Sequence, residues 1–253
     1  MFIVWGTKTV RKSLGRKADF CLLCRDFRPI RVVKVTSVGH LYYIPLGRRR
    51  NLGFEETCES CGLLRTEPHD NGCPPTVRDR HVDIETLISE TNPDVHRDWS
   101  LRLAFEDRIR TNSLTPDERI SALTESFLLA NSLVVRRMWA MHLDWTSGLS
   151  LIATVAFLIL AELLLKTDQH AVAKLALSVG AILTMVTVIL CWFDGRRYTR
   201  RAVMPILIRA IRPLRPTDEE IETVLERLRV RKDKLGRFLK TQKIVDALMF
   251  AAH

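Results

Sequence analysis

A small β-rich N-terminal domain, followed by a mainly helical remainder that contains a two-helix hairpin, is the fold class predicted for this 253-residue chain. Three observations predict it. Two Cys-x-x-Cys pairs, Cys21/Cys24 and Cys58/Cys61, bracket a stretch rich in Val, Tyr and Ile. Helix-start signals recur from Asn92 onward. Two nearly uncharged apolar runs, 149–165 and 175–193, stand side by side. The expected divisions are a β domain over 1–66, a linker over 67–78 with three prolines, a helical region over 79–146, a hairpin over 147–194 and a helical C-terminal region over 195–253.

The β elements come first. Residues 2–5 are apolar and end at Gly6, and 31–38 and 40–46 read as strands separated by Gly39. A third short strand, 52–57, leads into Cys58. β-branched and aromatic residues bounded by glycine carry these assignments. Beyond the linker, Ile84, Leu87 and Ile88 have helical spacing, and Asn92-Pro93-Asp94 supplies an N-cap with proline at the first helical position. Thr115 and Glu118 form a capping box for a helix expected to run through Met138 to His142, and Thr217 and Glu220 form another. Ile221, Val224, Leu225 and Leu228 then share one helical face.

The apolar runs are 17 and 19 residues long, and a membrane-crossing helix needs about 17–25. They are expected to form a transmembrane hairpin over about 147–166 and 174–193. Arg136 and Arg137 precede it, Arg196, Arg197, Arg200 and Arg201 follow it, and the joining loop has only Lys166 and Lys174 against Asp168. The positive-inside rule then predicts an integral protein of the inner, cytoplasmic membrane with both termini and the helical arms in the cytoplasm. Arg196, Arg197, Arg200 and Arg201 are the candidates for anionic lipid at the inner leaflet. Glu162, the one charge within the first run, stands one turn before Lys166 and is expected to pair with it.

Paired cysteines at equal spacing, with no secretory leader at the N-terminus, read as metal ligands before disulfides. Each pair can form a knuckle whose tight turn aims both sulfurs at one ion. Cys21, Cys24, Cys58 and Cys61 together would close a four-thiolate site for a structural Zn²⁺. The 33 residues between the pairs call for a long strand pair to fill them. Lys17, Arg25, Arg28 and Arg65 are candidates to offset the thiolate charge. His40, Cys73 and Cys191 are expected to stay outside the site.

Residues 1–62 resemble a family of small bacterial, membrane-associated zinc-ribbon domains. The resemblance rests on FIVWG at 2–6, CLLC at 21–24, YYIPLG at 42–47 with Arg48–Arg50, and CESCG at 58–62. It implies a zinc-ribbon fold and the four-cysteine ligand set, and little about activity. One departure stands out: Gly62 follows the second pair, but Arg25 follows the first.

Function is bounded by charge and by missing motifs. Residues 1–50 hold twelve Lys/Arg against Asp19 and Asp26, giving +10. Lys34, Arg48, Arg49 and Arg50 are the candidates for an anionic partner. No P-loop, GxSxG, HExxH or dinucleotide fingerprint is present, so catalysis is not expected. The leading expectation is a membrane-anchored protein-interaction or regulatory module with an unknown protein partner. The alternatives are a tethered nucleic-acid-binding protein using the basic ribbon, and a subunit of an oligomeric transporter, since two helices alone enclose no pore.

Overall fold

The computed structural model describes residues 5–41, 44–67, 76–78, 82–139, 145–166 and 170–250. Four antiparallel strands form one sheet in sequential order: β1 (Trp5–Cys21), β2 (Asp26–Leu41), β3 (Ile44–Cys58) and β4 (Leu64–Glu67). Ten α-helices follow: α1 (Ile84–Thr91), α2 (Val95–Asp98), α3 (Ser100–Arg110), α4 (Pro116–Trp139), α5 (Trp145–Lys166), α6 (His170–Tyr198), α7 (Met204–Ile211), α8 (Asp218–Val230), α9 (Lys234–Phe238) and α10 (Thr241–Phe250). The chain divides into two compact units, 1–133 with 206–253, and 134–205.

In the first unit, β1, β2 and β3 are far longer than the expected strands. β1 has 17 residues, about 55 Å of extended chain at 3.3 Å per residue. The basic segment TKTVRKSLGRKADF was not legible as a strand because its charges alternate with residues exposed on both faces. Cys21 pairs with Asp26, so the first Cys-x-x-Cys pair is the β1–β2 turn. Thr57 pairs with Leu64, so the second pair lies in the β3–β4 turn. Both turns sit at one end of the sheet, because Ile30 of β2 is paired with Cys58 of β3.

Helices seal the sheet at this end. Phe20 and Phe54 are each 1% exposed. The Phe20 ring stands 5.3 Å from Trp99 and 5.5 Å from Phe27, and Phe27 meets His96 at 4.5 Å. Trp99 Nε1 donates to the Asp19 carboxylate at 2.8 Å, and the Arg65 guanidinium lies over the Trp99 ring. Residues of α2 and α3 are thereby bound to the root of the sheet by apolar area and one buried acceptor. A second polar joint is Asn131, whose side chain accepts from Leu235 N–H and donates to Asp233, holding α4 to the start of α9.

Both expected capping boxes form. Thr115 Oγ1 accepts from Glu118 N–H, and Glu118 accepts from Thr115 N–H; Thr217 and Glu220 repeat the pattern. Each glutamate also takes an arginine from another element: Glu118 from Arg108, and Glu220 from Arg119.

The second unit overturns an expectation. α5 and α6 pack along each other, with the Gly180 Cα facing Phe157 and Leu158. Among the described residues, however, no helix is long and apolar enough to cross a membrane. Polar residues interrupt both helices: Thr154 and Glu162 in α5, and Lys174, Ser178 and Thr184 in α6. The transmembrane hairpin is therefore corrected to a helical hairpin. The integral-membrane location, the cytoplasmic placement of its arms and the membrane anchor do not stand, and the transporter reading that required spans is not taken further. Arg196 and Arg197 close α6, and Arg200 and Arg201 lie in the π-helical turn Thr199–Val203; all four are exposed. Pro205 explains that turn: it has no N–H to continue the ladder, and Met204 N–H bonds back to Thr199 instead. Glu162 is exposed in α5, while the Lys166 side chain lies outside the described residues.

The Glu118 cap generates a pH prediction. Hydrogen bonds from Arg108 and from Thr115 lower its pKa from the usual 4.5 to about 2. A depressed carboxylate contributes stability that is present above its unfolded pKa and lost as pH falls through the folded value. Glu118→Gln should therefore lower Tm at neutral pH, and the gap to wild type should close between about pH 4.5 and pH 2. Thermal melts across that range check it.

Candidate metal centre

Cys21, Cys24, Cys58 and Cys61 converge at the rooted end of the sheet. Their sulfurs all lie within 4.8 Å of one another, with Cys21 Sγ 3.5 Å from Cys61 Sγ and Cys24 Sγ 3.9 Å from Cys58 Sγ. All four are free thiols. In a tetrahedral site with metal–sulfur bonds of about 2.3 Å, sulfurs stand about 3.8 Å apart, so the four fit one ion. Cys21 and Cys58 are each 2% exposed and Cys61 is 6% exposed, while Cys24 is half-buried, so three of the four sulfurs are shielded and the fourth lies nearer the surface.

The two turns are built alike. Arg25 N–H donates to Cys21 C=O at 2.7 Å, and Gly62 N–H donates to Cys58 C=O at 2.8 Å. The residue after each second cysteine takes a left-handed conformation, φ 55° at Arg25 and 73° at Gly62. Glycine reaches that region freely; a side chain there adds strain. Cys58 N–H also bonds to Leu63 C=O, closing the second turn.

Crowded sulfurs divide the protons unequally. Hydrogen bonds with its neighbours, the one to Cys21 foremost, hold the Cys58 thiol far below its ordinary pKa, and a bond to Cys24 lowers that of Cys21. Bonds with Cys21 and then Cys58 push Cys24 up, and bonds with Cys21 and Cys24 push Cys61 up. Four thiolates cannot stand together without a cation to neutralise them, and a bound divalent ion supplies that charge while displacing the remaining protons.

The cations expected to offset the sulfurs do other work. Lys17 meets Glu56 at 2.6 Å and Arg28 meets Asp26 at 2.9 Å. Arg65 donates to Asp19 and to the Phe20 carbonyl. Arg25 leaves the cysteine turn altogether. Its guanidinium donates to Ala210 C=O in α7 at 2.7 Å, to both Glu106 carboxylate oxygens in α3 at 2.9 and 3.2 Å, and to Ser126 Oγ in α4 at 3.1 Å. Arg25 is 7% exposed and Glu106 4% exposed. Arg102 continues the network, bonding Glu106 and Glu125.

Glu106 is the residue that sequence reasoning missed, and Arg25, expected to offset the sulfurs, instead pairs with it. The available signal was the arginine itself: a long side chain at a left-handed position occupied by glycine in the sister turn. Of the other sequence candidates, His40 stands apart from the cysteines beside Gly6, the Cys191 and Arg48 side chains lie outside the described residues, and so does Cys73.

No protein-family model matches this chain, and no curated protein or solved structure matches it. The site must be judged on its own geometry.

That geometry yields a mutational prediction. Removing one partner of a buried ion pair leaves an uncompensated charge and costs about 3–5 kcal/mol. Arg25→Met should destabilise the chain by about that amount in denaturant unfolding, with metal still bound at one ion per chain by elemental analysis. Adding Glu106→Gln to Arg25→Met should cost less than the sum of the two single changes, because the orphaned carboxylate is then neutral. An Arg25→Met loss below about 0.5 kcal/mol would show that the pair is not a joint.

Proposed function

We propose that this protein is a zinc-folded interaction module and that it performs no reaction at the metal. The four-cysteine closure carries the reading. A set of four thiolates selects a soft or borderline ion, and Zn²⁺ in such a site has its coordination filled by protein. Without an open position there is no bound water to activate and no place for a substrate oxygen. What such an ion contributes is folding free energy, which a β arm of this length needs at its root.

The surroundings of the site support the same view. The residues nearest the sulfurs are spent on structure: Arg25 on three helices, and Asp19 on Trp99 and Arg65. Binding is then the work left to the outer surfaces, where a rigid head presents side chains at fixed spacing.

Cobalt substitution tests this reading. Co²⁺ in the full chain should give the intense visible bands of a four-thiolate tetrahedron, and added azide or cyanide should leave them unchanged. A spectrum that shifts on azide addition would reveal an exchangeable position, and the non-catalytic reading would fall.

A further inference from the structure

Eleven of the twelve basic residues of the N-terminal fifty have described side chains, and they fall into two groups by their partners. Near the metal end they are compensated: Arg16 and Arg31 by Glu59, Lys17 by Glu56, Arg25 by Glu106 and Arg28 by Asp26. Arg11 reaches Glu55 at 3.0 Å. Around and beyond that point the strand segments 5–14, 33–41 and 44–52, the arm of the sheet, contain seven Lys/Arg and no Asp or Glu, with Glu55 and Phe54 of β3 facing Val33 and Lys34 at their inner edge. Lys8, Lys12, Lys34, Arg49 and Arg50 have no ion pair among the described residues, and all but the half-buried Lys34 are exposed.

Placement sharpens the observation. Lys12 and Lys34 are direct cross-strand partners, with Lys34 itself opposite Phe54. Side chains opposite one another in an antiparallel pair have Cβ atoms about 4.5–5.5 Å apart, and like charges there are destabilising. Lys8 lies on the same face as Lys12, four residues and about 13 Å along the strand. Glu56, diagonal to Lys34, is taken by Lys17, and neither Lys12 nor Lys34 makes an ion pair among the described residues, so the two ammonium groups retain a repulsion that an external anion relieves. Anionic groups repeated along a line relieve it at each position in turn.

We propose that this arm binds the phosphodiester backbone of nucleic acid, without base specificity, through Lys8, Lys12, Lys34, Arg49 and Arg50. The proposal rests on the module reading above and names the partner of one of its surfaces. The arm is three strands wide, so its cations meet the phosphates along the outside of a duplex, and they serve a single strand equally well. The metal fixes the root of the arm, so the cations hold their spacing.

The test uses the full, zinc-loaded chain and a short fluorescein-labelled DNA, as duplex and as single strand, followed by anisotropy across a salt series. Five phosphate contacts predict a slope of log K against log salt of about −4.5 for the duplex and about −3.5 for the single strand. The variant Lys8→Glu/Lys12→Glu/Lys34→Glu should weaken binding at least about 10-fold at low salt and bring the duplex slope to about −2 or shallower. Arg237→Glu/Lys240→Glu/Lys243→Glu makes the same charge change on exposed residues of α9, α10 and the link between them and should leave both nearly unchanged. Equal losses from the two variants, no binding of either DNA at low salt, or binding to phosphatidylserine vesicles in preference to DNA would each overturn the proposal. None of these results touches the cobalt spectrum, so the arm and the closed metal site fail separately.

Discussion

The buried pair between Arg25 and Glu106 is the constraint on which the rest of this structure depends. Its position is unusual because it begins inside a metal-binding turn. Arg25 can only point at the helices if its backbone holds φ 55°, and that backbone is held by the Cys21 carbonyl and the cysteines on either side. Three helices distant in sequence then receive one guanidinium: α3 through Glu106, α4 through Ser126 and α7 through Ala210. The four-cysteine cluster therefore does more than close the two turns. It sets the direction of a side chain that, together with the Asp19–Trp99 bond and the Phe20–Trp99 contact, fastens the sheet to the helices.

This arrangement divides the sheet into a root and an arm. At the root, charges are matched, aromatic rings are buried and both cysteine turns are fixed. Along the arm, the strands carry cations that make no ion pair among the described residues. One end satisfies its own chemistry; the other is left with a charge that an outside molecule can satisfy.

Much of this was legible in the sequence where chemistry is local. Cysteine spacing named the ligands, and the Thr115/Glu118 and Thr217/Glu220 capping boxes placed two helix starts, because each signal lies within a few residues of its partner. The 33-residue gap between knuckles also read correctly as a long strand pair. Long-range pairing was not legible. Nothing in CLLCR says that Arg25 will find Glu106, 81 residues away. β1 was hidden because its alternation is of charged and small residues rather than apolar and polar ones. The apolar runs of α5 and α6 misled for a related reason. Counting hydrophobic length suggested a membrane hairpin, whereas among the described residues no helix meets the requirement for a span.

Hydrogen exchange with and without metal addresses the central claim most directly, namely that the cysteine site and the helical part of its unit are one cooperative structure joined by Arg25. Stripping the ion should release amide protection in α3, in the Ser126 region of α4 and in α7 together with β1 and β2. Helices that keep full protection while the cysteine turns alone become labile would contradict the account and leave the metal as a local clasp.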